Sequence, residues 1–159
     1  MFDETFVTSS ASPGVHDLVG ATVLVERTDF AGIHHAGRAL AEDFGRVTKG
    51  SPNPFQLLDQ TSASETSPRT AIIVGCIDSC RIIGQLECSG KIDTSSIQGK
   101  WESFLTAVVD NPLEGCEKAL VIAGSDKRGA IFGAYTLSSQ IGVSPYAVRI
   151  TISHSLLTV

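Results

Sequence analysis

Apolar residues along this chain fall into two kinds of pattern. One is the short unbroken run: Thr22–Glu26 (TVLVE), Thr70–Gly75 (TAIIVG), Ser103–Asp110 (SFLTAVVD) and Ala119–Ala123 (ALVIA). Each is rich in β-branched residues and predicts a strand. Thr70–Gly75 has no polar alternation, which predicts a strand covered on both faces. The other pattern is a stripe with helical spacing. Ile33, Ala36, Leu40 and Phe44 recur at i, i+3, i+7 and i+11, and Ala130, Ala134, Leu137 and Ile141 at i, i+4, i+7 and i+11. Between them, Ile82, Ile83 and Leu86 supply the inner face of a shorter helix.

Punctuation residues set the boundaries. Asp29 stands before the first helix and Ser79 before the second, each as a candidate N-cap. Gly90 is placed to end the second helix at C′. The third begins near Lys127 or Arg128, ends at Gly142, and cannot continue through Pro145. Lys49 to Arg69 holds Pro52, Pro54 and Pro68 among many Ser and Thr. It reads as a surface excursion with a short turn of helix around Phe55–Asp59. Asn111-Pro112-Leu113-Glu114-Gly115 is a turn, and its shortness predicts antiparallel pairing of the strands on either side. The order β-α-β-α-β-β-α predicts an α/β or α+β layered domain, a mixed β-sheet with packed helices.

Composition narrows the class. At 159 residues, 42% hydrophobic and 18% charged, the chain suits one globular domain with a real core. The formal net charge of −5 disfavours nucleic acid or an anionic membrane as partner. No apolar run reaches the ~18–20 residues that span a bilayer. Met1 to Gly20 is an irregular leader, and its first residues lack the basic and apolar regions of a secretory signal. Cys76, Cys80, Cys88 and Cys116 form no CxxC pair and no zinc-ligand spacing. They read as free, mostly buried thiols, with a Cys76–Cys80 disulfide left open. His34 and His35 are adjacent, about 100° apart on a helix, and cannot make an i, i+4 metal pair. No cofactor is implied.

Residues 120–145 carry the most information: a buried strand, a polar turn and an amphipathic helix. Such a turn is a usual place for ligands in α/β folds. Gly124, Ser125, Asp126, Lys127, Arg128 and Gly129 are therefore the candidate site residues, either at a substrate margin or at a domain interface. Backbone N–H groups at the helix start can hold an anion, and Lys127 and Arg128 can add charge. A simpler reading gives Gly124 the turn, Asp126 the cap, and Gly129 and Gly133 close helix–sheet packing. The spacing fits neither a P-loop nor GxGxxG, which counts against a small nucleotide- or phosphate-binding protein. Asp29, Asp78, Asp110 and Asp126 follow strands or open helices, where capping explains each more simply than a glycosidase carboxylate pair. Trp101 offers a face for a sugar ring, although a lone Trp beside a strand is more often a packing residue.

The string AGSDKRGAIFGAYTLSSQIGVSP (residues 123–145) resembles the AGSDKRGTIYGIYDLSEQIGVSP signature of fungal-type glycoside hydrolases of family 115, the xylan α-glucuronidases. GKWESF (residues 99–104), DNP (110–112), DFGRVT (43–48) and the segments at 71–75 and 90–92 are similar to further motifs of that family, in the same order. The likeness covers roughly residues 20–146. It implies that residues 21–146 are an N-terminal α/β domain preceding a (β/α)8 barrel. The barrel carries the catalytic acids, so no catalytic residue transfers to this chain. It also implies that the full-length form hydrolyses α-1,2-linked (4-O-methyl)glucuronic acid from xylan, that this portion alone is inactive, and that its partner is the barrel of its own protein. An extracellular location fits the full-length family. After Tyr146 the likeness stops, and residues 147–159 read as a divergent tail from a mis-spliced or intron-read gene end. The competing expectation is a stand-alone module binding a sugar or an anion at the Gly124–Gly129 turn. If the domain packs on a barrel, its isolated surface exposes an apolar patch, for which Phe132 and Tyr135 are the candidates.

Overall fold

The computed structural model describes residues 16–59 and 68–142, together with the two-residue strands Val7–Thr8, Thr151–Ile152 and Leu157–Thr158. The principal elements are β1 (Thr22–Glu26), α1 (Ala31–Thr48), β2 (Phe55–Leu58), β3 (Thr70–Cys76), α2 (Arg81–Cys88), β4 (Phe104–Asp110), β5 (Lys118–Gly124) and α3 (Lys127–Gly142). The principal strands lie in the order β2-β1-β3-β5-β4, with Leu157–Thr158 on the outer side of β4. The pairs β1–β2, β1–β3 and β3–β5 are parallel, and β4 runs antiparallel to β5. The mixed α/β sheet expected from the pattern is what forms.

The apolar runs are continuous because both faces of the sheet are covered. Successive strand residues point to opposite sides. Val23, Val25, Ile72, Val74, Leu120 and Ile122 pack with α1 and α3 on one face. Leu24, Ala71, Ile73, Ala119, Val121 and Ala123 pack with α2 and the Ile92–Ile97 loop on the other. The three helical stripes are buried as their spacing requires. Phe132 and Tyr135 are half exposed, at 52% and 54%.

One element differs from expectation. Phe55–Leu58 is an edge strand beside β1, not a turn of helix. In a strand, Phe55 and Leu57 reach the α1 side while Leu58 reaches the α2 side, so both faces gain apolar cover. A helical turn would forfeit that division. The excursion is also anchored. Asn53 is buried, accepts from the Gly20 amide at 2.8 Å and donates to the Leu18 carbonyl at 2.9 Å. Within the leader, Val7–Thr8 and His16–Asp17 pair with Thr151–Ile152. The rest of the leader before His16, residues 60–67, Pro145 and the remainder of the tail fall outside the described residues.

Neither expected cap of the first two helices is local. At α1 the N-cap position is Phe30, with no side-chain cap. Asp29 instead joins three segments: its Oδ1 accepts from the Phe30 amide (2.9 Å) and the Ser79 hydroxyl (2.6 Å), and its Oδ2 from the Cys76 amide (3.2 Å). At α2 the N-cap is Cys80 rather than Ser79, and it too makes no side-chain cap. The capping group comes from the end of β1. Glu26 Oε2 accepts from the amides of Arg81 (2.6 Å) and Ile82 (3.4 Å). A carboxylate suits those orphan donors and the positive end of the helix dipole. Gly90 ends α2 as expected: with φ +74 it closes a Schellman pair, Lys91 N–H to Leu86 O and Gly90 N–H to Glu87 O.

Glu26→Ala is expected to lower the unfolding free energy by about 2–3 kcal/mol, since it strips one buried and one part-buried amide of a charged acceptor. Ser79→Ala should cost about 1 kcal/mol. Urea denaturation of both variants checks this; a loss in Glu26→Ala no larger than that in Ser79→Ala would contradict the capping role of the carboxylate.

Candidate functional site

The parallel strands β1, β3 and β5 all end at one edge of the sheet, and β4 begins there: Cys76 and Phe104 both lie opposite Gly124. The expected site turn leaves β5 at this edge. Gly124 admits the first turn of α3 so closely that an added Cβ would sit 2.1 Å from the Ala130 nitrogen. At Gly129 a Cβ would sit 2.0 Å from the Ser103 carbonyl oxygen, and at Gly133 it would sit 2.3 Å from an Ile122 methyl. These contacts are too short for a Cβ, so the close-packing reading of Gly129 and Gly133 holds, and Gly124, expected only to permit the turn, is a close-packing glycine as well.

Close approach at Gly129 locks the turn to residues 101–103. Ser125 N–H donates to Ser103 O (2.7 Å), and Ser103 N–H donates to Ser125 Oγ (3.0 Å). Asp126 caps α3 as expected, its Oδ1 accepting from Gly129 N–H at 2.7 Å, while Oδ2 accepts from Glu102 N–H at 3.0 Å. Burial opposes ionisation of this carboxyl. The amides of Glu102, Gly129 and Arg128, with the Arg128 charge, outweigh that and hold it below its ordinary range. Arg128 pairs with Glu102 at 2.7 Å, and Lys127 lies over the Phe30 ring at 5.7 Å. The Gly129 amide foreseen for a bound anion is therefore taken by the chain's own carboxylate, and Arg128, foreseen as its second grip, is engaged.

Glu102 sits in the left-handed region at φ +50, a strain of roughly 1–2 kcal/mol for a residue with a Cβ. That turn carries Trp101 outward. Trp101 is 87% exposed, not the packing residue expected beside a strand. The chain around it is nonetheless fixed: Lys100 N–H donates to Ile97 O at 3.1 Å, and Ser103 Oγ donates to Trp101 O at 3.0 Å.

Beside Trp101 opens a cleft of about 570 Å³ lined by Ile77, Asp78, Glu87, Gln98, Gly99, Lys100, Ser125 and Asp126 as well. Of the six residues named from sequence as the site, only Ser125 and Asp126 line it. Gly124 and Gly129 shape its wall, while Lys127 and Arg128 turn to other partners. Asp78 and Asp126 do share the cleft, whereas Asp29 is buried under the β3–α2 turn and Asp110 lies by Lys118 at 3.6 Å at the far edge. Capping accounts for Asp126 but not for Asp78, an exposed residue at no cap position. Glu87 and Gln98 carried no motif and Lys100 was noted only within GKWESF; only the fold gathers them. Glu87 accepts from Thr94 Oγ1 and from Gln98 Nε2 (3.1 Å), which fixes the cleft's far wall. No group of three or more His, Cys, Asp or Glu able to hold a metal occurs among the described residues. His34 is occupied instead by a 3.1 Å contact to Glu26 O.

All four cysteines are free. Burial pushes the Cys80 thiol up to about 12 and raises those of Cys76 and Cys116, whereas Cys88 is exposed. No helix among the described residues is long and apolar enough to cross a membrane. No protein-family model matches the chain, and no curated protein matches it.

Two measurements test this geometry. Asp126 has a depressed folded pKa, so its stabilisation is fully present above its ordinary value of 3.8 and is lost as pH falls through the folded value. Asp126→Asn should therefore lower Tm at pH 7 and converge on wild type as pH drops below 3.8; a gap that persists in acid would contradict the assignment. Alkylation of native protein at pH 8 should modify Cys88 rapidly, and Cys80 only at the rate of unfolding.

Proposed function

We propose that this chain is the non-catalytic N-terminal α/β portion of a family-115-type glycoside hydrolase, whose full-length form removes α-1,2-linked (4-O-methyl)glucuronic acid from xylan. The observation that carries the reading is a convergence. The two most specific stretches of the resemblance, residues 99–104 and 123–145, flank the antiparallel β4–β5 pair. In the fold residues 102–103 and 125–128 of these stretches form one hydrogen-bonded unit at the C-terminal edge of the sheet, through Ser103–Ser125, Glu102–Asp126 and Glu102–Arg128. A family signature retained for such a unit needs both stretches at once, which fits their joint presence here.

Within this reading the turn and the Trp101 loop form a margin or docking edge for the barrel. The chemistry belongs to the barrel's own carboxylates, and no residue of this chain is assigned a catalytic role. Phe132 and Tyr135 supply apolar surface of the kind a covering domain would take. The alternative, a stand-alone binding module, draws support from the cleft beside Trp101 rather than from the turn's amides, and so favours a sugar over an anion.

The test is genetic first and enzymatic second. The encoding locus should continue in frame, past an intron near Tyr146, into a barrel. The extended protein should release (4-O-methyl)glucuronic acid from glucuronoxylan, and the 159-residue chain should not. A spliced message ending at Val159, or turnover by the chain itself, would overturn the proposal.

A further inference from the structure

Trp101 is the chain's one tryptophan, and 87% of it stands in solvent. A large aromatic surface left wet forgoes the burial that normally fixes such a residue in a core. Here it is held out by a loop whose backbone is tied on both sides, at Lys100 and at Ser103. The ring is therefore presented rather than merely loose, and it borders a cleft whose volume lies in the range that takes a small organic ligand.

The lining specifies the ligand's chemistry. Three carboxylates, Asp78, Glu87 and Asp126, face one cation, Lys100. Asp78 accepts no hydrogen bond from the described residues, and each carboxylate has several lone pairs to offer. This wall takes hydroxyl donors. Lys100 adds donors for ring or hydroxyl oxygens, while the Gln98 amide, whose nitrogen donates to Glu87 and Thr94, holds that wall in place. Phosphates, sulfates and uronic acids meet a like-charged surface. A quaternary ammonium would need an aromatic cage, and the cleft supplies a single ring. What remains is a ligand with an apolar C–H face to stack on an indole, a rim of hydroxyls, and no charge.

We propose that the cleft bordered by Trp101, Asp78, Glu87, Gln98, Lys100 and Asp126 binds a neutral pyranose unit of an oligosaccharide, stacked on Trp101. It would thus hold the uncharged main chain of a polysaccharide rather than an acidic branch. Only the choice of xylan as that polymer rests on the hydrolase reading above.

The lone tryptophan makes the test direct. The full chain is titrated with a neutral β-1,4-xylo-oligosaccharide, a neutral cello-oligosaccharide, glucuronic acid and choline, following tryptophan emission and binding heat. A neutral oligosaccharide should give a saturable blue shift with a Kd on the order of 1 mM. Trp101→Ala should weaken the heat-detected affinity about tenfold or more, and Trp101→Phe should retain part of it. Tm should hold in both variants, because the ring is exposed. Preference for the xylo-oligosaccharide supports the site and its place on xylan. Binding of the cello-oligosaccharide alone supports the neutral-sugar site while removing the xylan assignment. No saturable response to either neutral sugar, or tighter binding of glucuronic acid or choline, overturns the inference and leaves the hydrolase proposal to the transcript and activity tests.

Discussion

Two acidic side chains, one closing β1 and one just past its end, hold the working edge of this domain together. Glu26 and Asp29 are only 4% and 5% exposed. Taking a carboxylate out of water is costly, and it persists only where donors replace the lost hydration. Here the donors are the first amides of α2, the Cys76 amide at the end of β3, the Phe30 amide and the Ser79 hydroxyl. Each donor needed an acceptor, and each carboxylate needed donors. The result fixes the start of α2 against the ends of β1 and β3. The Ile77–Asp78 rim of the cleft rides on that arrangement.

The opposite wall is fixed by exclusion of side-chain volume. Gly124 and Gly129 let the first turn of α3 come so near β5 and Ser103 that no Cβ fits at either position. That approach brings Asp126 within reach of the Glu102 amide and sets the strained turn at Glu102 that carries Trp101 into solvent. One carboxylate thus caps a helix, pins a loop and borders a cleft. The same geometry removes the turn from consideration as an anion grip, because a helix N-terminus already holding its own carboxylate has little field left for a ligand. The proposed role as a sugar-facing edge of a larger hydrolase draws on this pair of walls and on the resemblance, in which both stretches belong to the family pattern.

Much of the fold was legible in the residues. The β-branched runs of β1, β3, β4 and β5 and the stripes of the three helices were readable because backbone period and burial act locally, through neighbours three or four positions apart. Asp126 as a cap and Gly90 as a helix stop were readable for the same reason. Phe55–Leu58 was misjudged, since an edge strand of four residues differs from a turn of helix only by what covers its two faces.

The sequence alone therefore determined the three helices and the four longer strands, the two-sided burial of the central strand and the glycines that permit close packing, because each follows from short-range spacing and side-chain shape. Only the tertiary structure decided that Glu26, 55 positions from Arg81, caps α2, that Asp78, Glu87, Gln98 and Lys100 line one cleft, and that Trp101 stands in water. Those outcomes depend on which strand ends meet at one edge of the sheet. Strand order is set by long-range pairing and by the competition of whole faces for cover, and no local window of residues contains that information.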